Sequence, residues 1–365
     1  MSFTAADAQF MARALALAQR GLYTTDPNPR VGCVVVKDQQ IVGEGFHERA
    51  GLAHAEPLAL AKAGEHARGA TVYVTLEPCC HHGRTPPCVD ALLNAGVARV
   101  IAAMRDPNPK VAGKGFAALE AKGVAIAVGL MEAEARALNP GFVSRMERGR
   151  PFVRVKLAAS LDGRTALANG ESKWITGEPA RADVQRWRAR SSAILTGIGT
   201  VLVDDPRLTV RDIEIGRAPM RIVVDSRLRT PPTAQMLREP GRTLIVAALN
   251  DAKKAAALTD AGAEVLVLPA NDGRVDLPAL LPKLAEREVT ELLVEAGATL
   301  SGAMLRDGLA DELVLYYAPC ILGDSARGLF DLPVLIRMDD RPSVEIKDIR
   351  SIGNDWRIVA TVKRS

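Results

Sequence analysis

Long apolar runs are missing from this 365-residue sequence: charged residues interrupt each stretch before it could span a bilayer. The first residues also lack the basic start, apolar core and cleavage site of a secretory leader. There is no block of lysine and arginine, and a formal net charge of +4 is small for this length. That argues against a nucleic-acid surface and leaves a mildly basic balance suited to a phosphorylated small molecule. Cysteine is scarce and odd in number, at five, which argues against a disulfide framework and for a reducing compartment, the cytoplasm. The G-x-G-x-x-G dinucleotide fingerprint is absent too: in GIGTVLVDDP at 197–206, Leu202 stands where the third glycine would be. No internal repeat is visible.

What is there is the composition of a packed protein, 48% hydrophobic and 25% charged, with length for about two domains. The polar stretch MERGRPF at 146–152 is the best linker and divides the chain into 1–145 and 150–365. In the first part, Thr4 followed by Asp7 starts a helix that Gly21 can end. Strands are expected at 31–36 and 41–46, paired as a hairpin around DQQ, then at 71–76, 99–104 and 124–128. Helices fall between them, giving an α/β/α sandwich. The second part alternates strands at 152–159, 193–197, 221–225, 243–248, 264–269 and 291–297 with helices, the pattern of a largely parallel sheet. Two closing strands near 344–350 and 356–363 are expected to be antiparallel.

Two short stretches carry chemistry: HAE at 54–56 and PCCHHGRTPPC at 78–88. His54, Cys79 and Cys88 offer one imidazole and two thiolates, the three-ligand set that leaves zinc an open position for water. Glu56, two residues from a ligand, is placed to move protons without holding the metal. Both halves sit where strands give way to helices, so His54 and Cys88 are expected at helix N-termini. A closed structural site would need a fourth ligand, for which Cys80, His81 or His82 are the candidates. Cys33, Cys80 and Cys320 read otherwise as packing thiols. Asn28, stiffened by Pro27 and Pro29, is either a plain turn residue or one presented to a site. His47, leaving the second strand, is likewise either structural or functional. In the second part, EAGATLSGAML at 295–305 is a glycine-containing turn feeding a helix, where free N–H groups can hold phosphate.

The eight residues between Cys79 and Cys88, with GRTPP among them, resemble the deaminase half of the bifunctional riboflavin-biosynthesis deaminase/reductases. The second part resembles the reductase half through KLAASLDGRTA at 156–166, SKWITG at 172–177, VDDPRLTVR at 203–211, VDS at 224–226 and EAGATLSGAML. The resemblance implies an N-terminal cytidine-deaminase-like α/β/α sandwich, a zinc-dependent pyrimidine deaminase over 1–145. It implies a C-terminal dihydrofolate-reductase-like α/β domain, an NADPH-dependent reductase over 150–365. It assigns one zinc per chain to His54, Cys79 and Cys88, proton transfer to Glu56, and contacts with the pyrimidine and its phosphoribosyl group to Asn28, His47, His81 and Arg84. In the reductase it implies NADPH contacts from Ala158, Trp174, Thr200, Asp204, Ser226, Gly297, Ala298, Thr299, Leu300, Ser301, Gly302 and Ala303. Substrate would meet Ser172, Arg188, Leu208, Arg211 and Glu295. Arg188 also shares its helix with Arg181, Arg186 and Arg190, most of which must be solvated, and Trp174 alone could be core. Lys156 and Glu295, polar in apolar strands, are candidates for acid/base help. The implied partner is a small phosphorylated pyrimidine, with no nucleic acid or membrane, and a homo-oligomer is expected. The competing enzyme reading is a cytosine or tRNA-adenosine deaminase with an unrelated accessory domain, and a third is a zinc-stabilised scaffold without turnover.

Overall fold

The computed structural model describes residues 3–81 and 86–363. The chain divides into two compact units: residues 1–149 with 214–217, and residues 150–213 with 218–365.

The first unit begins with helix Ala5–Gln19, started as its sequence predicts. The Asp7 amide donates to Thr4 Oγ1 at 3.1 Å and the Thr4 amide to Asp7 Oδ2 at 2.8 Å, so two otherwise unpaired N–H groups are satisfied reciprocally. Five strands form its sheet, in the order Gln40–Phe46, Gly32–Lys37, Thr71–Val74, Arg99–Ala102, Ala125–Val128. The first two pairings are antiparallel and the last two parallel. Helices Ala55–Ala63 and Cys88–Ala95 contribute Ala59, Leu60 and Leu92 to a core with Val35, Val72, Val74 and Val100. Residues 146–148 are not linker but the last turn of helix Pro140–Arg148, which ends at Gly149 in the left-handed conformation. A charged sequence with no apolar run can still be helical when one face packs, here through Val143.

The second unit is built on nine strands, in the order Ala263–Val267, Thr243–Ala247, Met220–Val224, Ala193–Gly197, Glu291–Glu295, Phe152–Ser160, Glu312–Ala318, Asp355–Val362, Val344–Ile352. The first seven run parallel and the last two close the sheet antiparallel. Strand Glu312–Ala318 is absent from the sequence reading. It supplies the partner that joins Phe152–Ser160 to the antiparallel edge. Leu277, Leu280, Leu281 and Leu284 of helix Leu277–Glu286, spaced as one helical face, bury against Val153, Leu195, Ile222 and Leu292. The parallel strands end on one side of the sheet, where ligands bind in open α/β folds.

Candidate metal centre and reductase cleft

His54 is the N-cap of helix Ala55–Ala63, and Cys88 is the first residue of helix Cys88–Ala95. His54 Nδ1 lies 3.2 Å from Cys88 Sγ and 3.6 Å from Cys79 Sγ, and the Cys88 amide donates to Cys79 Sγ at 3.3 Å. All three donor atoms lie within 4.8 Å of one another. Bonds of about 2.0 Å to nitrogen and about 2.3 Å to sulfur at tetrahedral angles require a nitrogen–sulfur edge of roughly 3.5 Å. The donors therefore fit zinc without rearrangement. A hydrogen bond from Cys88 holds the Cys79 thiol down at about 4, with His54 adding to the effect, so one thiolate is ready for a cation. Among the described residues no other His, Cys, Asp or Glu joins this cluster. Cys80 and His81 do not complete a closed site, and His82 lies outside the described residues.

Glu56 is 3% exposed in the first turn of the helix that His54 caps. Burial pushes its carboxyl up to about 7, and the charge of Cys79 pushes the same way. The Asn28 amide nitrogen meets His47 Nε2 at 3.0 Å, while His47 Nδ1 meets the Ala53 carbonyl at 3.0 Å. A carbonyl only accepts, so His47 carries its proton on Nδ1 and accepts from Asn28 at Nε2. Burial also pulls the His47 pKa below its ordinary value, in keeping with a neutral ring. Its ring stands edge-on to His54 with centroids 5.3 Å apart, so Asn28 and His47 belong to the metal neighbourhood. His81 is exposed. Arg84 lies outside the described residues.

In the second unit a cleft of about 1940 Å³ opens at the strand ends. It is lined by Ala158, Trp174, Thr200, Asp204, Ser226, Gly297, Ala298, Thr299, Leu300 and Ala303, and by Ser172, Arg188, Leu208, Arg211 and Glu295. Ser301 and Gly302 are not on this wall. In helix Ala298–Arg306 they turn inward: Ser301 is fully buried, and a Cβ on Gly302 would stand 2.1 Å from the Asp331 carbonyl oxygen. The segment feeds a helix as expected, but a 3.6-residue period cannot present seven consecutive side chains to one ligand. Trp174 is 70% exposed with the Arg181 guanidinium 4.6 Å from its ring centre, which rules out a core role.

Arg188 binds both oxygens of Glu295, at 2.6 and 3.0 Å, and donates to the Thr209 carbonyl at 3.0 Å. Lys156 Nζ is 3.7 Å from the same carboxylate. Burial alone would raise the Glu295 pKa, but Arg188 and Lys156 outweigh it and hold the carboxylate at about 2. Lys173 pairs with Asp204 at 2.8 Å, and the backbone amide of Arg211 donates to the buried Gln185. Leu208 sits at φ 52°, a left-handed conformation costly for leucine and common at ligand sites.

Residues 151–358 match the family described as RibD C-terminal domain, more than half of the chain. The chain belongs to the RibD family. Residues 4–104 match the cytidine and deoxycytidylate deaminase zinc-binding region. The riboflavin biosynthesis protein RibD of Escherichia coli K12 is 52% identical, covering 96% of this chain and 97% of the relative. That of Haemophilus influenzae is 48% identical over 100% and 99%. Among solved structures, Acinetobacter baumannii RibD is 46% identical with a TM-score of 0.92, over 98% of this chain and 99% of that one. A Thermotoga maritima diaminohydroxyphosphoribosylaminopyrimidine deaminase/5-amino-6-(5-phosphoribosylamino)uracil reductase is 34% identical with a TM-score of 0.87, over 98% and 99%. For a RibD, the sequence reading overlooked Glu77, a buried acid two residues before Cys79. It also overlooked the recurrence of DPNP at 26–29 and 106–109, whose second copy folds beside that acid. The visible signal was one charge directly after the apolar run TVYVTL at 71–76.

Proposed function

We infer that the chain catalyses two consecutive steps of riboflavin biosynthesis, one in each unit. The first is hydrolytic deamination of 2,5-diamino-6-(5-phosphoribosylamino)pyrimidin-4(3H)-one to 5-amino-6-(5-phosphoribosylamino)uracil. The second is NADPH-dependent reduction of the ribosyl group to ribityl. The carrying observation is a three-donor metal site that no fourth His, Cys, Asp or Glu among the described residues closes, with Glu56 buried in the first turn of the helix that His54 caps. His54, Cys79 and Cys88 hold the zinc, which when bound activates the attacking water at neutral pH. Glu56 takes the water's proton, delivers it to the ring nitrogen next to C2, then takes the proton of the new hydroxyl on C2 and passes it to the amine, which leaves as ammonia as the carbonyl forms. Asn28, His47, His81 and Arg84 are assigned together to the pyrimidine and its phosphoribosyl group.

In the reductase, NADPH supplies the hydride when bound. We assign the cofactor to the cleft walls at Ala158, Trp174, Thr200, Asp204, Ser226, 297–300 and Ala303, leaving out Gly302 and Ser301, whose amide already donates to the Gly297 carbonyl at 3.1 Å. Ser172, Arg188, Leu208, Arg211 and Glu295 face substrate. As hydride reaches C1′ the ring oxygen needs a proton, and Lys156, on the cleft wall 3.7 Å from Glu295, is our candidate to give it. Arg188 is already committed to Glu295, so Arg211 is the better phosphate ligand. A cytosine or tRNA-adenosine deaminase with an unrelated second domain is not favoured, because 151–358 match the RibD C-terminal domain.

No helix among the described residues is long and apolar enough to cross a membrane. We place the enzyme in the cytoplasm, where its metal-binding thiols stay reduced. We also propose a homo-oligomer, supported by exposed Val344, Ile346, Ile349 and Trp356 on the outer strands of the larger sheet. Sedimentation that gives a monomer at micromolar concentration would remove that part. The activity is tested by supplying the diaminopyrimidine phosphate with and without NADPH. Ammonia should appear in both cases, and cofactor absorbance should fall only as deaminated intermediate forms.

A further inference from the structure

We propose that Glu77 is a positioning residue for the zinc ligand Cys79. Glu77 is 3% exposed, and its carboxylate accepts four backbone N–H groups. Asp106 and Gly113 donate to Oε2 at 3.1 and 2.9 Å, and Gly115 and Phe116 to Oε1 at 3.0 and 3.4 Å. All four of these donors are backbone amides, so main chain satisfies the buried carboxyl group.

Asp106 and Gly113 belong to the loop, and Gly115 and Phe116 to the first turn of helix Lys114–Glu120, a loop-and-helix-start segment that returns to cover the chain just before the ligand. A Cβ on Gly115 would stand 2.1 Å from the Pro78 carbonyl oxygen, so that segment and the Glu77–Cys79 peptide pack backbone to backbone. Strand Thr71–Val74 has already ended, and Pro78 has no N–H with which to continue a ladder. The Glu77 amide still reaches the Met104 carbonyl at 3.1 Å, and the Cys79 carbonyl accepts from Val89 at 3.2 Å. Between those two bonds the Glu77 carboxyl group anchors the chain that delivers Cys79 Sγ, which the Cys88 amide then meets at 3.3 Å. A zinc–sulfur distance tolerates error of about 0.2 Å, so a loosened exit costs affinity.

Glutamine at this position keeps the shape and replaces one acceptor oxygen by a donor, so amides now facing its NH₂ group lose their acceptor. The proposal rests on zinc being held by His54, Cys79 and Cys88. The test uses the full chain, with zinc affinity measured by competition against a chromophoric chelator and the cobalt-substituted spectrum recorded alongside. Glu77→Gln is expected to bind zinc roughly 10- to 100-fold more weakly and to shift the thiolate-to-cobalt bands, with the circular dichroism of a folded chain. Affinity within twofold of the parent, with unmoved cobalt bands, overturns the role. If Glu77→Gln does not fold, Gly115→Ala decides: it keeps the carboxylate and wedges the segment off Pro78, and unchanged zinc affinity in that variant rejects the proposal. A parent chain that binds no zinc would instead defeat the metal assignment itself.

Discussion

Glu56 sits where a charge is poorly solvated and where the charge of Cys79 lies nearby, so its carboxyl holds a proton far more readily than a surface glutamate would. Its role is to move protons, not to hold metal. Glu56→Ala should therefore retain zinc while deamination falls by roughly 10²- to 10⁴-fold, checked by zinc content and ammonia release in the same preparation. Arg211→Ala should raise the reductase KM for substrate more than that for NADPH, the loss of a charge-assisted contact costing about 1.5 to 3 kcal/mol. An unchanged substrate KM would take Arg211 out of the site. Glu295 offers a pH test. Its folded pKa of about 2 lies below the ordinary 4.5, so its pairing with Arg188 and Lys156 stabilises the fold above pH 4.5. That contribution is lost as pH falls through 2. It amounts to roughly 3 kcal/mol by linkage. The stability difference between parent and Glu295→Gln, followed by denaturant titration, should be largest at neutral pH and shrink between pH 4.5 and 2.

At the scale of elements, the metal site depends on how closely helix Ala55–Ala63 lies on strand Gln40–Phe46. A Cβ at Gly45 would stand 2.4 Å from the Ala55 carbonyl oxygen, and one at Gly43 would stand 2.2 Å from that of Ala59. The helix backbone occupies the space a side chain would need. Gly45→Ala should push the helix outward, destabilising the chain by about 1 to 3 kcal/mol and weakening zinc binding, because His54 caps that helix. Thermal unfolding and metal content report the two effects separately. Elements of this kind were legible where one local rule sufficed: the Thr4/Asp7 cap, the hairpin of Gly32–Lys37 with Gln40–Phe46, and the closing antiparallel pair. Strand Glu312–Ala318 was not, although Asp307 and Gly308 end the preceding helix with Gly308 at φ 64°, because its near-continuous apolar run has no alternation to tell a buried strand from a helix. The last turn of helix Pro140–Arg148 has the charge and glycine of a linker, so composition alone does not reveal it as helix.

For the whole molecule, the two chemistries use different atoms, and we propose that the deaminase part near 1–145 and the reductase part near 150–365 work as separable modules. Removing zinc with a chelator should abolish ammonia release while the deaminated intermediate plus NADPH is still consumed at close to the parent rate. Parallel loss of both activities would contradict modularity. By itself the sequence determined what the chemistry is made of: the imidazole and thiolates at 54, 79 and 88, the acid at 56, and the alternating strand and helix periods of a largely parallel sheet. Atom types and local periodicity are properties of the chain, so they can be read without its fold. Tertiary structure alone decided that Arg188 closes on Glu295, that Ser301 and Gly302 turn away from the cleft, and that Glu77 gathers amides from residues 29 to 39 positions further along. Those outcomes depend on which distant segment lies opposite a side chain once the sheets are packed, and burial then sets whether a polar group meets water, ligand or another part of the same chain.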